Sequence, residues 1–362
     1  MSSDFLHRWF APLLQQGPLF CAPNLDTQLA FLRTDHCEIP LTINDAQWDN
    51  SWICSPWTHY VSYAQEEIAR ARVPILGTSA RLALRAAGTW MRHAEFNRVV
   101  MLNNWLLSTS AWPKTAAADL PQILQMLLQQ WPDHAYVFRS LNEKESTPLI
   151  AALRALGARL IPSRQVWWHE PDSPAVARSR DFRADVNLLH SNDLAWVRHD
   201  ELTEADFPSL AHLYWQLYVN KYSRHNPQFT VGWLQHLWRE RLLNFSALRT
   251  VTGQHVGLEA CGELNGVLTS PIIGYDLAQP RHLGLYRRLA AIPVLEARRQ
   301  QLPLNLSSGV AHFKALRGGE PLMEYLAVFD RHLPPQRRKP WAAVQWLSEH
   351  VLAPWVEKQV KM

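Results

Sequence analysis

The chain has 362 residues, 47% hydrophobic and 19% charged, with 36 basic against 32 acidic side chains and a net charge of +4. That length holds two ordinary domains of roughly 150 residues each, and the composition, with no run of about 18 consecutive apolar residues, excludes both a disordered chain and a membrane span. The small basic excess, at a pI near 8.9, does not by itself demand a polyanionic partner.

At the N-terminus, "MSSDFLHRWFAPLLQQG" sets Asp4, His7 and Arg8 among its apolar residues, so it lacks the continuous apolar core of a signal peptide and reads as cytoplasmic. Cys21, Cys37, Cys54 and Cys261 form no CxxC pair, which gives neither zinc spacing nor a disulfide framework and predicts buried thiols. Sixteen histidines show no HxxxH spacing, so no catalytic metal is expected. Seventeen tryptophans are expected to fill a core or a cleft wall rather than stack on bases. The stretch 51–68, "SWICSPWTHYVSYAQEEI", mixes aromatics with Ser55, His59 and Tyr60 and is expected to line an acceptor pocket.

Residues 118–170 predict a helix "ADLPQILQMLLQQW", a strand "AYVFRSL", a helix "STPLIAALRALG" and a strand "RLIPSRQVWWHE". Residues 171–193 have the turn formers and weak periodicity of a linker. Beyond them "LAWVRHDEL" alternates like a strand, and Thr203 and Thr230 are candidate N-caps of two helices. "FSALRTVTG", "QHVGLEACGEL" and "VLTSPIIGYD" read as strands, the last two joined by Asn265-Gly266, a pair suited to the positive φ of a hairpin turn. A long helix "LGLYRRLAAIPVLEARRQQ", a short strand "LPLNLSS", a short helix "AHFKALR" and a strand "MEYLAVFD" complete the unit. The order is β-α-α-β-β-β-α-β-α-β, and its last helix-strand-helix-strand run repeats the order of residues 118–170.

That order resembles the GNAT acyltransferase superfamily. "RHLGLY", Arg281 to Tyr286, is similar to the GNAT pyrophosphate signature, and the resemblance implies that Arg281, Gly284 and Tyr286, at the start of the long helix, meet the phosphates of an acyl-CoA. "NLSSG" with "HFKALRGGEPLMEYLAVFD" resembles the end of the Fem-type branch, whose members carry two GNAT-like domains in tandem. The resemblance implies an α/β fold of mixed sheets flanked by helices, divided here into residues 1–180 and 181–362. It implies an acyltransferase that joins an acyl group to the amine of a small or peptide-like acceptor, and it makes Lys314 a cation at the donor or acceptor site. Acyl-CoA is favoured as donor by "RHLGLY" and the modest charge. Aminoacyl-tRNA is favoured by the Fem-like ending, by Tyr286 in place of a small residue, and by the basic pI. A binding protein that keeps the fold without donor binding is a third possibility.

Amide formation needs a base for the amine and a group to meet the oxyanion. Glu259 and Asp276, on or at the end of central strands, are the candidate bases, and Glu324 and Tyr325 on the last strand are candidates to act as acid or to orient the base. Lys314 and Arg317 stand three apart on a short helix and are expected to point the same way. Bracketed by Ser307, Ser308, Gly309, Gly318 and Gly319, they suit an anionic phosphate or carboxylate. A solvent-facing lysine there would contribute within about 0.5 kcal/mol to stability. Lys221, Tyr222 and Asn226 lie where GNAT proteins form the acceptor wall, and Arg139, Ser140 and Arg164 are expected to face the same cleft.

Overall fold

The computed structural model describes residues 3–66 and 74–353, the side chains of 74–81 and 352 excepted. Helix α1 (Ser3–Gln16) precedes an antiparallel pair, β1 (Gln28–Arg33) and β2 (Glu38–Asn44), then α2 (Pro74–His93) and β3 (Val99–Leu102). Next come α3 (Ala116–Gln130), β4 (Ala135–Leu141), α4 (Thr147–Ala155) and β5 (Arg159–His169). These last four match the sequence reading closely, because buried apolar strand runs alternate there with amphipathic helices.

The expected linker at 171–193 is instead helical over α5 (Pro174–Arg178) and α6 (Arg180–Leu189). Ser179 caps α6 by accepting the Phe182 N–H at 3.0 Å, and Phe182, Asp185 and Leu189 form its buried stripe. The polar residues that suggested a linker are its solvent face. Strand β6 (Ala195–Val197) is shorter than expected. Helix α7 (Phe207–Tyr214) widens into a π-helical turn over Trp215–Tyr222, and α8 (Val231–Arg239) starts from Thr230, whose side chain accepts the Trp233 N–H at 3.0 Å. Strands β7 (Asn244–Arg249), β8 (His255–Leu264) and β9 (Val267–Tyr275) are antiparallel. Asn265 and Gly266 turn between the last two at φ 52° and 86°. Then follow α9 (Leu285–Gln300), β10 (Leu304–Asn305), α10 (Ala311–Leu316), β11 (Glu320–Phe329) and α11 (Pro335–Leu347).

All eleven strands join one mixed sheet flanked by helices, in the order β1-β2-β3-β4-β11-β5-β10-β9-β8-β7-β6. A repeated unit predicts two separate sheets; the sheet is continuous because the last strands of the two halves trade places. In each half a parallel pair forms first, β3 with β4 and β9 with β10. The next strand of the first half, β5, lies antiparallel to β10, and its counterpart β11 lies antiparallel to β4. These two long strands also pair with each other from Glu320↔Trp168 to Val328↔Arg159. Each half-sheet thus has its open edge paired by the other half, which removes two rows of unpaired backbone groups.

Side chains alternate across the sheet. Val99, Met101, Val137, Leu326 and Val328 face Leu84 and Met91 of α2 and Trp341 and Val344 of α11. Val100, Leu102, Tyr136 and Phe138 face α3 and α4. Helix α1 crosses to the second half. Trp9, fully buried, packs edge-on against Trp105 at 5.5 Å and Trp233 at 6.0 Å, one from each half. Such aromatic contacts contribute about 0.5–1.5 kcal/mol each beyond the area they bury. No helix among the described residues is long and apolar enough to cross a membrane.

Candidate functional site

Where the exchanged strands pass through the first half, polar side chains gather inside the protein. After β3 the chain turns through Asn103 and Leu106, and within β4 Ser140 also takes positive φ, at 54°, 59° and 56°. Left-handed backbone is costly for residues other than glycine and clusters where structure serves function. β4 and β11 shift register between Tyr325 and Ala327, and a cavity of about 20 Å³ is bordered by Trp52, His59, Tyr60, Arg139, Ser140 and Glu324, among others. That is room for about one water molecule.

Arg164 and Glu324 face each other across β5 and β11, and the guanidinium Nε donates to Glu324 Oε1 at 2.8 Å. Arg164 is held from its other side by Ser108 O at 2.5 Å and Thr109 Oγ1 at 2.7 Å. Glu324 is buried, and its Oε2 makes no hydrogen bond among the described residues; neither does the buried hydroxyl of Tyr60. Arg139, also buried, donates to Asn104 Oδ1 at 2.5 Å, and burial lowers its pKa to about 10. Both guanidinium groups lie over the Trp52 ring, at 5.8 and 5.7 Å. His59 packs against Trp52 at 5.5 Å and Tyr60 at 4.7 Å. Desolvation first, then the Arg164 and Arg139 charges, lowers its pKa to about 4, so the imidazole is neutral near pH 7. The site therefore offers a fixed carboxylate with one free oxygen, a free phenol, a neutral imidazole and two cations.

Trp52 is anchored from the second half. Its Nε1 donates to Asn226 Oδ1 at 2.9 Å, and Asn226 Nδ2 donates to Tyr218 O at 2.8 Å. Asn226 is thus a buried strut of the cleft wall. Lys221 and Tyr222 are exposed on the same segment, with Lys221 Nζ above the Tyr222 and Tyr275 rings at 5.5 and 5.9 Å.

The basic turn at 307–325 departs most from its sequence expectation. Lys314 is buried, not solvent-facing, and its Nζ donates to Leu306 O at 2.8 Å, Ser307 O at 3.3 Å and Ser308 O at 2.8 Å. Three carbonyls match the three hydrogens of an ammonium and favour the charged form, whereas desolvation and the Arg164 charge lower the pKa to about 7. Arg317 is buried too. It donates to Asp185 Oδ2 at 2.5 Å and to Phe313 O at 3.0 Å, and stacks 3.4 Å over the Phe313 ring. Gly318 serves packing: a Cβ there, at φ 81°, would lie 2.5 Å from Val176 N in α5, whereas Gly309, at φ 85°, faces open space. Ser308, exposed, lends its carbonyl to Lys314.

The remaining candidates separate. Glu259 is fully buried on β8, accepting from Ser270 Oγ at 2.8 Å through Oε1 while its Oε2, like that of Glu324, makes no hydrogen bond among the described residues, and desolvation raises its pKa to about 8. It is a neutral carboxyl in the core beneath α9, outside the cavity. Asp276 closes a turn by accepting from the Ala278 N–H and Gln279 Nε2, each at 2.9 Å. Tyr325 packs with the core cluster of α3 and α4, on the face away from the cavity. Gly284, at φ 57°, caps α9, with Arg281 exposed in the preceding turn. Tyr286 is half-buried against Phe313 at 4.8 Å and Tyr275 at 6.2 Å.

Stretch 51–68 borders the cavity through Trp52, Pro56, His59 and Tyr60, whereas Ser55 donates to Asn97 Oδ1 at 2.8 Å, and residues 67 and 68 lie outside the described residues. Trp52 and Asn104 were not singled out by sequence reasoning; the available signal was Asn103-Asn104 directly after an apolar run, a pair suited to left-handed turns. A larger groove, about 390 Å³, lies elsewhere, bordered by Arg241, Asn244, Glu263 and Asn265 among others. None of its lining residues has a buried polar side-chain atom left without a partner. Among the described residues no group of three His, Cys, Asp or Glu is placed to hold a metal.

No family profile matches the chain, and no curated protein matches it. Solved structures resemble it in fold. The structure titled L-PGS from Bacillus licheniformis is 13% identical over 68% of this chain and 82% of that one, at a TM-score of 0.49. FemX is 9% identical over 59% and 76%, at 0.46. A tandem GNAT protein from the clavulanic acid biosynthesis pathway is 12% identical over 64% and 74%, at 0.40. At these identities and scores the likeness carries no residue role and no chemistry across.

Proposed function

We propose that the chain is an acyltransferase built of two GNAT-like units in tandem, residues 1–180 and 181–362, moving an acyl group from acyl-CoA to the amine of a small or peptide-like acceptor. The observation that carries this reading is Glu324, one carboxylate oxygen fixed by Arg164 and the other buried and unpartnered beside a cavity. In this reading the acceptor nitrogen lies against Oε2 and attacks the acyl carbonyl. The Tyr60 hydroxyl meets the oxyanion, supported by the Arg139 and Arg164 charges. The C–N bond forms, the C–S bond breaks, and Glu324 takes the amine proton and returns it to the departing thiolate. A substrate has to widen the cavity, whose wall at Trp52 is held by Asn226.

The donor route is supported by the capped start of α9 and by a line of aromatics. Tyr286 touches Tyr275, Lys221 covers Tyr275 and Tyr222, and Tyr222 lies 6.1 Å from Tyr218, whose carbonyl leads through Asn226 to Trp52. Phosphates at Gly284 and Arg281 would gain the N–H groups of the helix start. Tyr286 favours a second reading, an aminoacyl-tRNA donor, because its side chain packs against Phe313 where a small residue would admit a pyrophosphate. Thermal denaturation with a panel of acyl-CoAs and charged tRNAs separates the readings. A ligand at 100 times its Kd adds about 2.7 kcal/mol to stability, so a matched acyl-CoA raises the Tm. Salt-sensitive tRNA binding with no acyl-CoA shift moves the donor to aminoacyl-tRNA. A folded protein that binds neither is a binding protein, and the transferase reading fails.

A further inference from the structure

We infer that the acceptor is a free amino acid, its carboxylate bound by Arg139 and its amine held against Glu324. The placement begins in the backbone. Phe138 pairs with Ala327 and Leu141 with Tyr325, so Arg139 and Ser140 together stand opposite the single residue Leu326. Two residues against one make a β-bulge, which re-aims the side chains beside it. Val137 of β4 and Leu326 of β11 share one face of the sheet. Arg139, two residues on from Val137, borders the same cavity as Leu326 and Glu324, and its guanidinium lies 5.8 Å from the Trp52 ring on the cavity wall.

A buried arginine is ordinarily paired with a carboxylate, because an uncompensated charge inside a protein is costly. Arg139 is 4% exposed and has no such partner. It donates only to the neutral oxygens Asn104 Oδ1 and Leu107 O and forms no ion pair among the described residues, which leaves further N–H groups of its fork for a ligand. Arg164 differs, since Glu324 pairs with it at 2.8 Å. His59 is neutral near pH 7, and no other residue bordering the cavity carries charge at that pH. The wall therefore holds one uncompensated positive charge.

That charge selects the ligand. A carboxylate meets Arg139 through charge-assisted hydrogen bonds. The two guanidinium groups disfavour an ammonium beside them, so the bound amine is the neutral, nucleophilic form. Its hydrogen is accepted by Glu324 Oε2, which makes no hydrogen bond among the described residues. A simple amine would satisfy Glu324 and leave Arg139 unpaired. The cavity, about 20 Å³, has room for about one water, so the ligand is small and enters as the wall opens. The chemistry rests on the proposed transfer at Glu324: the amine forms the C–N bond, the donor's C–S bond breaks, the proton passes through Glu324 to the thiolate, and the product is an N-acyl amino acid.

The test is isothermal titration calorimetry of the full chain with the common amino acids, each beside its carboxamide and its decarboxylated amine. At least one amino acid is expected to bind at least about tenfold tighter than both of its analogues, equivalent to about 1.4 kcal/mol. Arg139→Gln is expected to erase that preference. A preference that survives in folded Arg139→Gln makes Arg139 only a brace of the 103–107 turn and overturns the inference. So does equal binding of acid and analogues, or no amino acid binding to the parent chain, and these two results decide the matter alone if the variant does not fold. The transferase reading fails separately. Selective amino acid binding by a chain that takes up neither acyl-CoA nor charged tRNA keeps the carboxylate site and removes the reaction. A donor that raises the Tm while carboxamides are acylated as fast as the acids keeps the reaction and removes the carboxylate site.

Discussion

The two halves handle the same structural opportunity in opposite ways. In each, a parallel strand pair is extended at its open edge by a strand from the other half. In the first half the space beside β4 keeps a cavity, with Glu324 Oε2 and the Tyr60 hydroxyl left unpartnered. In the second half Tyr275, at the end of β9, packs with Tyr286, which packs on Phe313, and its cations are consumed by protein acceptors, Lys314 by three carbonyls and Arg317 by Asp185. A charged side chain therefore marks a candidate site only when its hydrogen-bonding capacity is unspent. Cations dense in sequence can be interior fasteners, whereas the groups left unpartnered at the cavity are a carboxylate and a phenol, Glu324 and Tyr60, both candidates in the sequence.

The largest expected effect tests the fastener role. Lys314→Ala removes the donor to three carbonyls of the 306–308 turn, and each buried group left unpaired costs about 1–3 kcal/mol where water cannot replace the partner. A loss of about 3 kcal/mol in chemical denaturation is expected, far beyond the 0.5 kcal/mol of a surface lysine. A variant as stable as the parent would erase the contrast between the halves. Next is Glu324→Gln, which keeps volume and one acceptor but cannot take a proton. With whichever donor raises the Tm, kcat/KM is expected to fall at least about 100-fold, equivalent to roughly 2.7 kcal/mol. Full activity in this variant would remove the first-half cavity as the site.

The third prediction sharpens the comparison through the other buried carboxyl. Glu259 has a folded pKa of about 8 against an unfolded 4.5. The native state binds the extra proton, so the stabilising contribution is complete below pH 4.5 and is lost as pH rises through 8. Relaxation around the ionised group keeps the realised change to about 2 kcal/mol between pH 5 and 9, smaller than the raw shift implies. Glu259→Gln is expected to flatten that part of the stability-pH curve with little effect at pH 5. An unchanged curve would show that Glu259 ionises freely and is not sealed in the core.

Much of the fold was readable along the chain because it rests on local rules. The apolar alternation of β7 to β9, the Asn265-Gly266 turn and the Thr230 cap are decided within a few residues, and all are present. The helix-strand-helix-strand order of 118–170 held for the same reason. Amphipathic α6 was read as linker because its buried residues, Phe182, Asp185 and Leu189, include a carboxylate that only its partners Arg287 and Arg317 explain. Arg139, Ser140 and Arg164 were expected at one cleft, but the pairing of Arg164 with Glu324, 160 positions away, had no local signal.

By itself, the sequence determined most of the helix and strand segments, that residues 118–170 and 283–329 share a helix-strand-helix-strand order, and that the chain carries enough apolar residues to bury a large core. Those properties depend on neighbours within a turn or two of backbone. Only the tertiary structure decided that the halves exchange their last strands into one sheet, that Lys314 and Arg317 face inward, and that Glu324 keeps an oxygen free. The reason is that a side chain's chemistry depends on which acceptors, donors and water surround it. In this protein those partners come from the other half of the chain: β11 brings Glu324 to Arg164, and α6 brings Asp185 to Arg317.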